Sequence, residues 1–158
     1  MKRVICLLLT LLLLCCLYGC EQEADIHFFY PRIEVQYGIS DGVIASEPRS
    51  IETDGRDLSY LLKLYLEGPI SQELRSPFPR GTSLEALIQD EGSIVITLTE
   101  PFDELQNMDY MIACACIAST CFSLTEADTV TIKTDVSTLT LSRESVVLED
   151  LTAASIPK

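Results

Sequence analysis

The chain has no tryptophan, one histidine (His27), and only 11 lysines and arginines against 24 acidic residues in 158. Each shortage removes a class of function. A net charge of −13 repels phosphate backbones and anionic headgroups, which excludes nucleic-acid binding and adhesion to membranes through basic side chains. One histidine and no G-x-S-x-G elbow leave no Ser-His-acid constellation to assemble. Without tryptophan there is no broad platform for a sugar ring. The pairs Asp90-Glu91 and Asp103-Glu104 therefore read as solvated turns rather than glycosidase carboxylates. The calcium pattern D-x-D-x-D-G-x5-E is missing too, and Asp54-Gly55-Arg56-Asp57 reads as helix capping. The sequence holds no internal repeat, no low-complexity segment and no block of five like charges.

What is present begins with a greasy leader. Lys2 and Arg3 precede an apolar run from Val4 to Gly19, 16 residues against the roughly 20 that a spanning helix needs. That length favours an export signal over the alternative, an uncleaved N-terminal anchor. The leader closes on Leu17-Tyr18-Gly19-Cys20, which resembles the lipobox of bacterial lipoproteins. The resemblance implies cleavage after residue 19, lipid on Cys20, and a protein held at the cell membrane facing outside the cytoplasm. Loss of residues 1–19 takes Lys2 and Arg3 and leaves 9 basic against 24 acidic residues, a net −15. Residues 20–25 form an acidic tether, 26–150 the folded domain and 151–158 a tail.

Of seven cysteines, only Cys114, Cys116 and Cys121 lie in that domain. On one helix, residues 114 and 121 stand about 10 Å apart along the axis, and 114 and 116 point to opposite sides. The spacing predicts free thiols packed as small apolar residues. It also argues against zinc, because one intervening residue makes two helical thiolates diverge. The sequence indicates no metal and no cofactor.

Periodicity gives the elements. IHFFY (26–30) is a strand stopped by Pro31; 33–39 and 43–46 flank Asp41-Gly42 as a hairpin. Leu58, Leu61, Leu62, Tyr65 and Leu66 make the apolar stripe of a helix over 55–67, capped by Thr53 or Asp54 and ended by Gly68-Pro69. SLEALIQ and SIVITLT alternate as two strands around Asp90-Glu91-Gly92. A second helix covers 107–124 with two apolar seams: Tyr110, Cys114, Ile117, Cys121 and Leu124, and Met108, Met111, Ala115, Ala118 and Phe122. Strands follow at 128–134, then STLTLS and ESVVLE as a last hairpin. The expected architecture is α+β, a mixed sheet with both helices packed on one face.

The order from Leu61 to Thr99, an LL..L..GP helix end, a P.GT turn (Pro79-Arg80-Gly81-Thr82) and a hairpin, resembles the GerMN domain of sporulation and spore-germination lipoproteins. Arg49-Ser50-Ile51 resembles the extended segment before the first helix of that domain. The resemblance covers about residues 26–136 in a single copy. It implies a βαββαβ-like fold related to ring-building motifs, no catalytic activity, and assembly with other envelope proteins. Arg80, Gly81 and Thr82 are the expected interaction loop, since exposed loops carry function more often than cores do. The competing expectation is a lipid-anchored wall hydrolase or ligand-binding lipoprotein, which requires a deep pocket with converging polar groups.

Overall fold

A computed structural model describes residues 24–34, 42–51 and 57–146. Two sheets sandwich one helix. The first is an antiparallel ribbon of β1 (Ala24–Pro31) and β2 (Ile44–Ile51). After β2 come α1 (Leu58–Leu66), β3 (Leu84–Asp90), β4 (Ser93–Leu98), α2 (Asn107–Leu124), β5 (Thr129–Lys133) and β6 (Thr138–Ser142). Strands β3-β4-β5-β6 make the second sheet in that order, antiparallel except for the parallel β4–β5 pair. From β2 to β5 the chain reads βαββαβ. The α+β class and its mixed sheet stand, but a ribbon separate from that sheet carries β1 and β2.

Period-two alternation explains the four-stranded sheet. Ile94, Ile96 and Leu98 of β4 and Val130 and Ile132 of β5 are buried, while their intervening residues are not. In β3 a bulge between Leu84 and Ala86 breaks the alternation. Leu84 and Leu87 turn to the core, and Ile88 is left exposed.

Helix α1 is shorter than the expected 55–67, and its cap is Asp57 rather than Thr53 or Asp54, which lie outside the described residues. The Asp57 carboxylate accepts the Tyr60 N–H at 2.9 Å and so satisfies a donor of the first turn. At the other end Gly68, with φ of +102°, gives its N–H to Tyr65 O at 3.1 Å, and Pro69 follows.

Helix α2 has the bounds its pattern predicts, but only part of the predicted burial. The first seam is buried or half-buried throughout. The second is buried at Ala118 and Phe122 and half-buried at Ala115, whereas Met108 and Met111 are exposed. A third face, Ala113, Cys116 and Thr120, is buried instead, and α2 packs on β1. By length and composition this helix is apolar enough to cross a bilayer, yet its residues 116–122 are all buried between the sheets. Arg143 closes its C-terminal end. The guanidinium donates to the carbonyls of Phe122, Thr125 and Ala127 and lies 4.9 Å over the Phe122 ring.

Two further expectations change. The strand at 33–39 falls mostly outside the described residues, and Ile33 and Glu34 are not strand; β1 takes the place beside β2. ESVVLE does not begin as a strand: Arg143–Val146 form a 3-10 turn, in which Ser145 Oγ occupies both main-chain groups of Ser142. The leader, Cys20 and the tail lie outside the described residues.

Candidate functional site

The groups with chemical potential are scattered. His27 is exposed on β1, and its carbonyl accepts the Ser123 hydroxyl at 2.7 Å. Asp90 and Glu91 are exposed at the β3–β4 turn. Asp103 accepts from the hydroxyls of Thr134 and Ser137, tying the turn after β4 to the β5–β6 turn. Among the described residues no three His, Cys, Asp or Glu side chains gather as a metal site. The three cysteines are free and buried. Burial pushes the Cys114 thiol up to about 11 and those of Cys116 and Cys121 up to about 12, so all three stay protonated and unreactive at neutral pH.

Arg80, Gly81 and Thr82 form a braced turn. Thr82 N–H reaches Pro79 O at 3.2 Å, and Gly81 sits third in the turn with φ of +90°, a conformation costly for any side chain. Thr99 Oγ1 donates to Gly81 O at 3.2 Å and accepts Ser83 N–H at 2.9 Å, so the end of β4 holds the turn in place. Arg80 is exposed and forms no ion pair among the described residues, while Thr82 is half-buried. Beyond the turn, Glu100, Pro101, Asp103 and Glu104 line an open depression of about 390 Å3 that has acids and no base.

Pattern reading misses one buried and well-connected charged cluster. Glu47 and Arg49, two apart on β2, face the same way and pair at 2.7 Å, each side chain 8% exposed. Glu47 also accepts the N–H groups of Ile70 and Ser71 at 3.0 and 2.8 Å. Arg49 donates to Gly68 O at 2.7 Å and lies 4.9 Å over the Phe28 ring. Burial raises the Glu47 pKa, but the Ser71 N–H, the Arg49 guanidinium and the Ile70 N–H outweigh it and hold the carboxyl below its ordinary value. A charged pair inside a strand mimics a solvated face in the sequence. Only the alternation of 47, 49 and 51 with Ser46, Pro48 and Ser50 hints that it turns inward.

This ion pair fixes the loop after α1. Residues 70–75 then lie along the end of β1, where Ile33 N–H donates to Glu73 O and Arg75 N–H to Pro31 O. The outcome is a rigid loop that presents Ile70, 78% exposed, at the end of the molecule that also carries the exposed Ile33. Next to it, Arg32, Ile33, Glu34, Gln72 and Glu73 line an open depression of about 350 Å3.

Comparison with known proteins places this geometry. The first GerMN domain of the sporulation protein GerM from Bacillus subtilis is similar in fold, with a TM-score of 0.54 at 16% identity over 75% of this chain and 98% of that one. No curated protein sequence matches the chain. The model of the Germane family, described as sporulation and spore germination, matches residues 31–140. With β2, α1, the braced turn and α2 all inside that span, the chain belongs to the Germane (GerMN) family of sporulation and spore germination.

Proposed function

We propose that this chain is a non-catalytic lipoprotein, tethered outside the cytoplasm, whose GerMN domain docks other envelope proteins in sporulation or germination. The observation that carries the reading is the loop holding Ile70. A buried ion pair and two charge-assisted hydrogen bonds immobilise its backbone, yet the Ile70 side chain points to water. A side chain displayed on a fixed backbone loses little freedom on binding, which suits a contact surface. The two depressions described above are open and bring no acid, base and nucleophile together, so they give a hydrolase no support.

The tether rests on Lys2, Arg3, the apolar run and Cys20. Ala24 is the fourth residue after Cys20, so a lipid there keeps the start of β1 within about 14 Å of the membrane. At that distance a net charge of −15 turns the domain away from anionic headgroups.

A photo-crosslinking side chain at position 70 in intact sporulating cells should yield protein adducts of defined mass. The same group at the exposed Lys133 should not. Recovery of lipid and wall fragments alone would overturn docking. Cys20→Ala should move the protein out of the membrane fraction or block its processing; unchanged fractionation refutes the lipid. Deleting the chain should lower spore yield or germination, and a deletion that leaves both intact refutes the spore role.

A further inference from the structure

Among the described residues there are four strand edges, and three are protected against pairing. The outer edge of β1 is covered by the helices: Phe29 N–H donates to Thr120 Oγ1 at 3.0 Å, and Phe29 and His27 carbonyls accept from Tyr65 and Ser123. On β2, Arg32 N–H donates to Val43 O, so by alternation residues 43, 45, 47 and 49 bond to β1 and Pro48 faces outward with no N–H to offer. β3 carries a bulge and the exposed acids Glu85 and Asp90.

The edge of β6 has none of these protections. Its sequence Thr138-Leu-Thr-Leu-Ser142 contains no charge, proline or glycine. Arg143 N–H donates to Asp128 O and Thr134 N–H to Ser137 O, so residues 137, 139, 141 and 143 bond inward to β5. The main-chain groups of Thr138, Thr140 and Ser142 therefore point away from the sheet. Ser145 occupies those of Ser142. Among the described residues nothing takes up the N–H and C=O of Thr138 or of Thr140.

We infer that two copies of this chain pair through their β6 edges, antiparallel and centred on Leu139, into one eight-stranded sheet. In that register Thr138 lies opposite Thr140 of the second copy. Each such pair exchanges two hydrogen bonds, so four bonds use all the free groups of both strands and leave Ser142 with its own cap. Faces match as well. Leu139 meets Leu139 on the core side, and threonine meets threonine on the open side, where β4 and β5 already present Thr97, Thr129 and Thr131. The two-fold axis runs normal to the sheet, which keeps both sets of helices on the same side. Charge permits it: the strand is neutral in a chain of −13, and its flanks, Asp135 at one end and Arg143 at the other, come together with opposite signs. A second copy is the favoured occupant because the strand complements itself in length, polarity and register.

This inference rests on the assembly reading above and names one partner for it. A contact of one short strand falls at the weak end of protein interfaces, so it is tested at about 0.1 mM, well above a Kd on the order of tens of micromolar. The full chain in detergent, followed by sedimentation equilibrium, should be a dimer at that concentration. Hydrogen exchange should slow at the amides of Thr138 and Thr140 as concentration rises, and not at Ser142. Thr140→Lys puts a charge on the open face, and Thr140→Pro removes an N–H that the fold itself does not use. Each should weaken pairing by about tenfold or more, since symmetry repeats the change, with circular dichroism unchanged. A wild-type monomer at every concentration, or a dimer unaffected by Thr140→Lys, overturns the inference. If crosslinking at position 70 still captures other proteins in that case, docking stands without self-pairing; if both fail, both readings fall.

Discussion

The ribbon of β1 and β2 and the sheet of β3 to β6 share one core but are held in different ways. The sheet is joined by continuous main-chain ladders and by aliphatic residues in alternation. Apart from the main-chain bond of Arg75 N–H to Pro31 O, the ribbon meets the rest of the molecule through side chains. Thr120 and Tyr65 take the main-chain groups of Phe29, Tyr30 OH reaches Tyr65 O at 2.7 Å, and the Glu47–Arg49 pair grips the loop after α1. Its core is aromatic, with Phe28 and Tyr30 set against Tyr65 at centroid distances of 5.4 and 4.9 Å. Many weak, redundant contacts tolerate the loss of one. A few buried polar contacts do not, because each removal strands a partner away from water.

The sharpest break of that contrast is Arg49→Ala. It leaves the Glu47 carboxylate buried without its cation and should cost about 3–5 kcal/mol in chemical denaturation. The double change Glu47→Leu, Arg49→Met should recover most of that loss, since an apolar pair needs no desolvation. Acid acts on the same pair more gently. The Glu47 carboxyl is held below its ordinary value, so its contribution is complete above the unfolded-state pKa and disappears as pH falls through the lower folded-state value. In thermal melts the gap between wild type and Glu47→Gln should therefore narrow below about pH 4. Thr120→Val keeps the shape and removes the acceptor of the Phe29 N–H, for a loss of about 1–3 kcal/mol. On the sheet side Ile96→Val should cost only about 0.5–1.5 kcal/mol, as the remaining aliphatic contacts close round it. The smallest effect belongs to the thiols. Cys116 and Cys121 should resist alkylation at neutral pH in the native protein and react fully in denaturant.

The same contrast decides what could be read in advance. β4, β5 and α2 follow their sequence patterns to within a residue or two, because alternation and helical period are local and their apolar residues have nowhere else to go. The bulge in β3 was hidden, since Leu84, Ala86 and Ile88 alternate as regularly as a strand without one. The pairing of β1 with β2 was hidden by Asp41-Gly42, a strong turn signal that points to a closer partner. Of the candidate site, the Arg80-Gly81-Thr82 turn was legible from Pro79 and Gly81. The Glu47–Arg49 grip on Gly68, Ile70 and Ser71 spans some twenty residues and leaves no periodic trace.

The GerMN resemblance came from the order of motifs between Leu61 and Thr99. Composition and period alone determined an acidic α+β domain, its two helices, and three small thiols with no partner among themselves. Those properties follow from local sterics and from the sign of the summed charge. Tertiary structure decided which faces of α2 are buried, that the strands divide into two sheets, that a charged pair lies inside, and, among the described residues, which strand edge lacks protection. Each of these depends on where distant main-chain donors and acceptors find partners, and no local pattern encodes that.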